Sequence, residues 1–385
     1  MKAFTIDDGQ LLRIISSLIA EEINRRTPKH IDFVTTALWR EESELLSAQI
    51  GLSHDEVVFA GDGVAKFFDL SSNDLAVVAD RNLGEWVSIV RDSLDKKACR
   101  LTFSPAGREP TQEGCVHQAN QVFEDAAAAA NLFHGRRRLL SLVAPHSLLG
   151  FVLTVITPNL QRILSLDMRA SSPADLTSAL EFGDVIVATP TLWRYILEQG
   201  VTAPDNTMGV YFGEPMAPEL AADMRQAGFG AQRELYGTTE NGLIGWRDSP
   251  TEPFVLFDHW RRDDENLLRV PPADGARPIA PMDELNWSDN KRFNLAGRRD
   301  GAVQIGAVNI FPDKIAKALA RHRDIEECVI EIRQHKGGVN RVIANIKLKP
   351  AIQPAEAIVR DINIFCRSNL RAQERPSIFH FRDDL

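Results

Sequence analysis

The chain has 385 residues, more than one hydrophobic core ordinarily holds, so two or more domains are expected. Its 44% hydrophobic and 25% charged residues are the proportions of a globular enzyme, and a net charge of -9 argues against binding a nucleic-acid backbone. Cys99, Cys115, Cys328 and Cys366 show no CxxC or Cys/His spacing, which gives no support to a structural zinc and suits a reducing compartment. The start, MKAFTIDDGQ, has no basic segment followed by an apolar one. The most apolar stretch, 148–156, is too short to span a bilayer, so no membrane span and a cytoplasmic location are expected.

In chain order, residues 8–26 place Leu11, Leu12, Ile15, Leu18, Ile19 and Ile23 on one face of a helix that begins with acids and ends in Arg25-Arg26. More helical pattern runs to about residue 70. From 75 to 188 the short apolar runs LAVVAD, CRLTF, RLLSLVAP and DVIVATP alternate with helical ones, which predicts strand–helix–strand units around a buried sheet. Arg136-Arg137-Arg138 follows an alanine-rich helix and reads as its solvated end. Residues 270–281, VPPADGARPIAP, read as a loop. Beyond Gly297 comes a strand (AVQIG), a helix opened by Pro312 and carrying Ile315 and Leu319, two strands (ECVIEIR and RVIANIKL), and a helix over 354–370. That β-α-β-β-α order predicts a compact α+β module with its boundary near 297–301.

Three stretches carry a resemblance. In Tyr211 to Glu240 a glycine turn with proline, Gly213-Glu214-Pro215, precedes a helix, a short strand and Tyr236-Gly237-Thr238-Thr239-Glu240. This resembles the nucleotide turn and YGxTE signature of the adenylate-forming superfamily of acyl-CoA synthetases, peptide-synthetase adenylation domains and luciferases. The resemblance implies that 213–215 border adenine, Tyr236 stacks on it, Thr239 reaches the α-phosphate and Glu240 holds Mg²⁺. A carboxylate attacking ATP needs its polyphosphate charge neutralised, and magnesium prefers carboxylate oxygens. Phe293 to Leu319 resembles the superfamily's hinge segment. It implies that Arg298 contacts ribose, that Asp300 is the hinge, and that Gly306 lies in a loop approaching the site during thioester formation. Asp283 stands where the superfamily has an Asp that binds both ribose hydroxyls. Leu142 to Leu153 resembles the segment lining the acyl pocket, with His146 as its candidate. In VATPTLWRYIL, Thr189 and Trp193 are candidates for the substrate border, Trp193 being equally a candidate for plain core.

The resemblance implies an α/β fold: a large N-terminal acyl- and nucleotide-binding domain over 1–297 and a small mobile α+β domain over 298–385. Chain length and VQIGAVNIFP are most similar to the short 4-coumarate–CoA ligase-like branch. Two segments depart from the pattern. The superfamily's phosphate loop is rich in Ser, Thr and Gly and ends in Lys, because glycine lets backbone N–H groups converge on phosphate. Here it reads FSPAGREPT, with Ser104 in place, Pro105 and Arg108 where glycines stand, and Thr111 for the lysine. The superfamily's C-terminal catalytic lysine lies beyond a segment like FHFRDDL, at which this sequence stops. Two readings follow. The first is an aryl or acyl acid ligase using ATP and Mg²⁺, with a small, aromatic carboxylic acid as substrate and CoA or a carrier-protein pantetheine as acceptor. The second is a degenerate relative that no longer adenylates efficiently and binds an acyl-adenylate, an acyl-CoA or a partner, or transfers acyl groups without ATP. An oligomer is compatible with either.

Overall fold

The computed structural model describes residues 6–27, 29–71, 75, 81–94, 100–105, 113–270, 277–305, 308–334, 340–350 and 352–382. It has two compact units, Met1–Pro281 with Asn286–Asn294, and Met282–Leu285 with Leu295–Leu385.

The first unit begins with helix Asp8–Arg26. Asp7 caps it: the Asp7 side chain accepts from Gln10 N at 2.8 Å, and Gln10 Oε1 accepts from Asp7 N at 3.2 Å. The expected apolar face is buried except for half-buried Leu12, and Ser16, Ser17 and Glu22 are buried as well. The helix is therefore covered on more than one side. Arg169 reaches Ser17 Oγ (2.9 Å) and Thr36 Oγ1 (3.1 Å), and Arg25 and Arg26 hold Glu22. Helix His54–Phe67 packs closely on it, because a side chain at Gly63 would stand 2.1 Å from Glu22 Cγ.

Strands β1 (Arg100–Phe103) and β2 (Cys115–Gln118) form a separate antiparallel pair, with Leu101 opposite His117 and Phe103 opposite Cys115. CRLTF thus does not join the main sheet as the alternation predicts, because β1 is paired with β2. Of LAVVAD, only Leu75 lies within the described residues, where it is buried. The main sheet starts with β3 (Arg138–Ser141), β4 (Leu164–Asp167), β5 (Val185–Ala188), β6 (Met208–Phe212) and β7 (Ala231–Thr238). Its parallel part has the order β4-β3-β5-β6-β7. β5 and β6 are buried throughout, VIVA and MGVYF, as strands covered on both faces must be. Antiparallel strands β8 (Gly242–Arg247) and β9 (Phe254–Leu256) extend the sheet, and Arg292 and Phe293 pair with β9 beyond them. Between β3 and β4 runs helix Leu148–Phe151, a π turn Val152–Ile156 and helix Thr157–Gln161. No helix among the described residues is long and apolar enough to cross a membrane.

Strands β10 (Trp260–Asp263) and β11 (Asn266–Arg269) form a separate antiparallel pair, and strands β12 (Asp283–Trp287) and β13 (Arg292–Arg298) carry the chain between the units. The last of the three crossings, at 294–295, lies within β13, a few residues before the Gly297–Gly301 segment in which the sequence places the boundary. In the second unit a hairpin, β14 (Val303–Ile305) and β15 (Val308–Ile310), precedes helix Pro312–Leu319. Strands β16 (Ile325–Gln334) and β17 (Asn340–Leu348) pair antiparallel, helix Glu356–Asn369 follows, and β18 (Ile378–Phe381) pairs parallel with β17. Ile310, Ile315, Leu319, Ile325, Ile346 and Ile362 form its own core.

Candidate functional site at the carboxyl ends of the parallel strands

The parallel order β4-β3-β5-β6-β7 contains one reversal. The chain moves outward from β3 to β4, then returns to the other side of β3 to lay down β5, β6 and β7. In open α/β sheets ligands bind beyond the carboxyl ends of the strands at such a reversal, where the loops diverge and leave a crevice. His146 follows β3, Thr189 follows β5, Gly213-Glu214-Pro215 follows β6, and Thr239-Glu240 follows β7. Four sequence candidates from distant parts of the chain thus sit at one edge of four neighbouring strands.

The Tyr236–Glu240 signature is the end of β7 and the turn into β8. A bulge falls between Tyr236 and Gly237, and a side chain at Gly237 would stand 2.5 Å from Gly242 O, so the two strands close only around glycine. The Tyr236 ring is mostly buried against Phe254 (centroids 5.6 Å) and Phe293 (5.8 Å). Thr238 Oγ1 and Asn241 Oδ1 are 3.1 Å apart, and Asn241 N donates to Thr238 Oγ1 at 3.2 Å, which closes the turn. Thr239 and Glu240 are half-buried at its tip. Beneath it, buried Glu234 accepts from Arg247 Nε at 2.7 Å. Burial raises the carboxyl's pKa, and Arg247 opposes that rise.

Sequence reasoning missed the residues that fix this turn. His117 Nε2 lies 2.7 Å from the Thr239 carbonyl oxygen, which can only accept, so Nε2 carries the hydrogen. Burial pushes the His117 pKa down and keeps the ring neutral. Buried Asp125 accepts from Leu243 N (2.8 Å) and Arg269 Nη2 (2.7 Å), and it lies 3.1 Å from His259 Nε2. Gly242 has φ +91°, and a Cβ there would meet Asp125 Oδ2 at 2.4 Å. His117 lies only a few residues past the phosphate-loop segment, and Asp125 sits in a helix otherwise rich in alanine. Those positions were the available signals.

Next to the nucleotide turn, Thr191 Oγ1 donates to Glu214 Oε2 at 2.7 Å, tying the start of helix Pro190–Glu198 to the turn after β6. Thr189 is that helix's cap, its hydroxyl accepting from Leu192 N at 3.3 Å. Trp193, for which the sequence left substrate border and plain core equally open, is fully buried, donates from Nε1 to Val210 O at 3.1 Å, and packs edge-on against Phe229 (4.8 Å). It packs in the core beside β6, because the helix turns that face inward.

His146 and Ser104 line one recess together with Glu21, Lys66 and Thr102. The His146 ring lies 4.9 Å from the Phe33 ring, and its Nε2 is 3.9 Å from Glu21 Oε2. Its Nδ1 is buried without a hydrogen-bond partner among the described residues. Burial, assisted by the Arg169 charge, pushes its pKa down to about 3. His146 is therefore neutral at ordinary pH and carries an unused polar atom. Arg108, Thr111 and Gly306 lie outside the described residues.

The ribose candidates are in the second unit, Asp283 on β12 and Arg298 on β13. The Arg298 guanidinium holds both oxygens of Asp300, at 2.8 and 2.7 Å, which keeps the Asp300 carboxyl below its ordinary pKa.

No protein-family model matches the chain. It is 28% identical over 389 residues to a 4-coumarate–CoA ligase of Halorhodospira halophila, spanning 99% of this chain and 97% of that protein. A 4-coumarate–CoA ligase of Cereibacter sphaeroides is 25% identical over 330 residues, 84% of this chain and 78% of its own length. Among solved structures, a variant of the amide bond synthetase McbA from Marinactinospora thermotolerans aligns with TM-score 0.57 at 13% identity, over 98% of this chain and 91% of that one. These sequence relatives and this fold support the resemblance to the adenylate-forming superfamily.

Proposed function

We propose that the protein is an acid–thiol ligase of the AMP-forming type, acting on a small carboxylic acid, aromatic in character. A carboxylate oxygen of the substrate attacks the α-phosphorus of ATP and displaces pyrophosphate. The sulfur of CoA, or of a carrier-protein pantetheine, then attacks the acyl carbon, loses its proton and displaces AMP. The observation that carries this reading is the gathering of His146, Gly213–Pro215 and Thr239–Glu240 at the carboxyl ends of β3, β6 and β7. Thr239 and Glu240 offer only oxygen donors at the hairpin tip, the donor chemistry a magnesium ion takes. Bound there, Mg²⁺ would neutralise polyphosphate charge. In this reading Thr239 positions the α-phosphate and Gly213, Glu214 and Pro215 border adenine, which rests on the exposed margin of Tyr236. Gly237 lets β7 and β8 close at the nucleotide-binding turn, and Asp283 and Arg298 serve the ribose with Asp300 as hinge. Ser104, Arg108 and Thr111 would face the outer phosphates. Neutral His146 borders the acid without adding a charge that would trap it before reaction.

Calorimetry with AMP and with ATP, with and without Mg²⁺, tests this. ATP with Mg²⁺ binding well over tenfold tighter than AMP, with Arg108→Ala removing the gain, supports a working phosphate loop and the ligase. Affinities within about tenfold, or about 1.4 kcal/mol, favour the degenerate relative, to which Pro105, lacking an N–H, inclines the loop.

A further inference from the structure

We propose that His117 is a positioning residue, tying β1 just before Ser104 to the hairpin tip and so fixing how Glu240 is presented to a magnesium nucleotide. This rests on the ligase reading above. His117 is on β2, a few residues past the phosphate-loop segment, and stands opposite Leu101 on β1. Its ring meets the Phe103 ring edge-on at 5.8 Å, and Phe103 is the residue before Ser104. Nε2 of the same ring donates to the Thr239 carbonyl at 2.7 Å. A planar peptide joins that carbonyl to the N–H of Glu240, so fixing the oxygen fixes the plane from which the Glu240 side chain projects. The stem of the hairpin is held separately, by Asp125 on Leu243 N. His117 therefore adds a constraint at the tip itself. Nothing about the hairpin's own closure requires that constraint, since Thr238 and Asn241 already close the turn.

The geometry separates a positioning role from a purely structural one. Loss of a buried structural hydrogen bond lowers the melting temperature and leaves metal dependence alone. Loss of a positioning bond frees the Glu240 peptide and weakens the response to Mg²⁺. The test compares wild type, His117→Phe and His117→Gln. It measures Mg²⁺-dependent ATP binding by calorimetry, AMP binding, and kcat and KM for the acid across a magnesium series. His117→Phe should need about tenfold more Mg²⁺ for half-maximal ATP binding and lose about tenfold in kcat, with AMP affinity and KM for the acid little changed. His117→Gln, whose amide N–H can take over the donor, should recover to within about threefold of wild type. Should His117→Phe fold poorly, His117→Met removes the donor with a more adaptable side chain. Wild-type magnesium dependence in the folded donor-less variant, on a wild type that binds Mg²⁺ and ATP, would overturn the positioning role alone. A wild type without Mg²⁺-dependent ATP binding would overturn the ligase reading and this inference with it.

Discussion

Single side chains at the strand ends have separable roles. Glu240→Gln keeps shape and removes charge. It should lower ATP- and Mg²⁺-dependent turnover by about tenfold or more while AMP affinity changes little, since the metal serves mainly the triphosphate. Equal losses in both, read by calorimetry and steady-state kinetics, would make Glu240 a structural residue. His146 has a signature in pH. Its folded pKa, about 3, lies well below the ordinary histidine value of about 6.5, so on acidification the unfolded chain takes up the proton first. The stability that neutral His146 contributes is present in full above about pH 6.5 and is lost progressively as pH falls toward 3. His146→Gln should flatten the decline in melting temperature between pH 6.5 and 4 without abolishing it, because buried His117 is shifted in the same direction. Trp193→Ala should cost about 3–5 kcal/mol in denaturant unfolding, as expected when a fully buried aromatic is removed. That cost without a specific change in the KM for the acid would fit its place in the core.

At the scale of elements, the hairpin β7–β8 concentrates the most constraint. It closes around Gly237 and leaves the turn through Gly242 at positive φ, with Asp125 against the space a side chain would need. Gly242→Ala therefore combines backbone strain with a clash against a buried carboxylate that also holds Leu243 N and Arg269. It should destabilise by about 2 kcal/mol or more and weaken ATP binding as well. A loss of stability with nucleotide binding intact would show that the tip tolerates movement of its stem. Much at this scale was legible in the sequence. The capped first helix, the apolar β5, the helix opened by Pro312 and the β16–β17 pair all follow from local pattern, since caps, prolines and burial periodicity act over a few residues. The partner of β1 was not legible, because a four-residue apolar strand carries no record of which strand it joins.

The whole molecule comprises two units, each with its own core, so damage to one need not spread. Ile362 is fully buried in the second unit. Ile362→Ala should cost about 2–5 kcal/mol there and hasten proteolysis within 301–385, while a fragment covering the first unit persists in mass spectra. Simultaneous loss of both would mean the units unfold together. The sequence by itself determined the superfamily-like motifs, their order and the local elements that carry them, because glycine turns, caps and buried strands depend on residues close together in the chain. The tertiary structure decided what those motifs meet. The reversal of strand order at β3 put His146 and Thr239–Glu240, almost a hundred positions apart, at one edge of the sheet. It turned Trp193 into the core and brought His117 within hydrogen-bonding distance of Thr239 across 122 positions of sequence. Such contacts depend on which strands pair and which helix face turns inward, and those choices are settled by packing of the entire sheet.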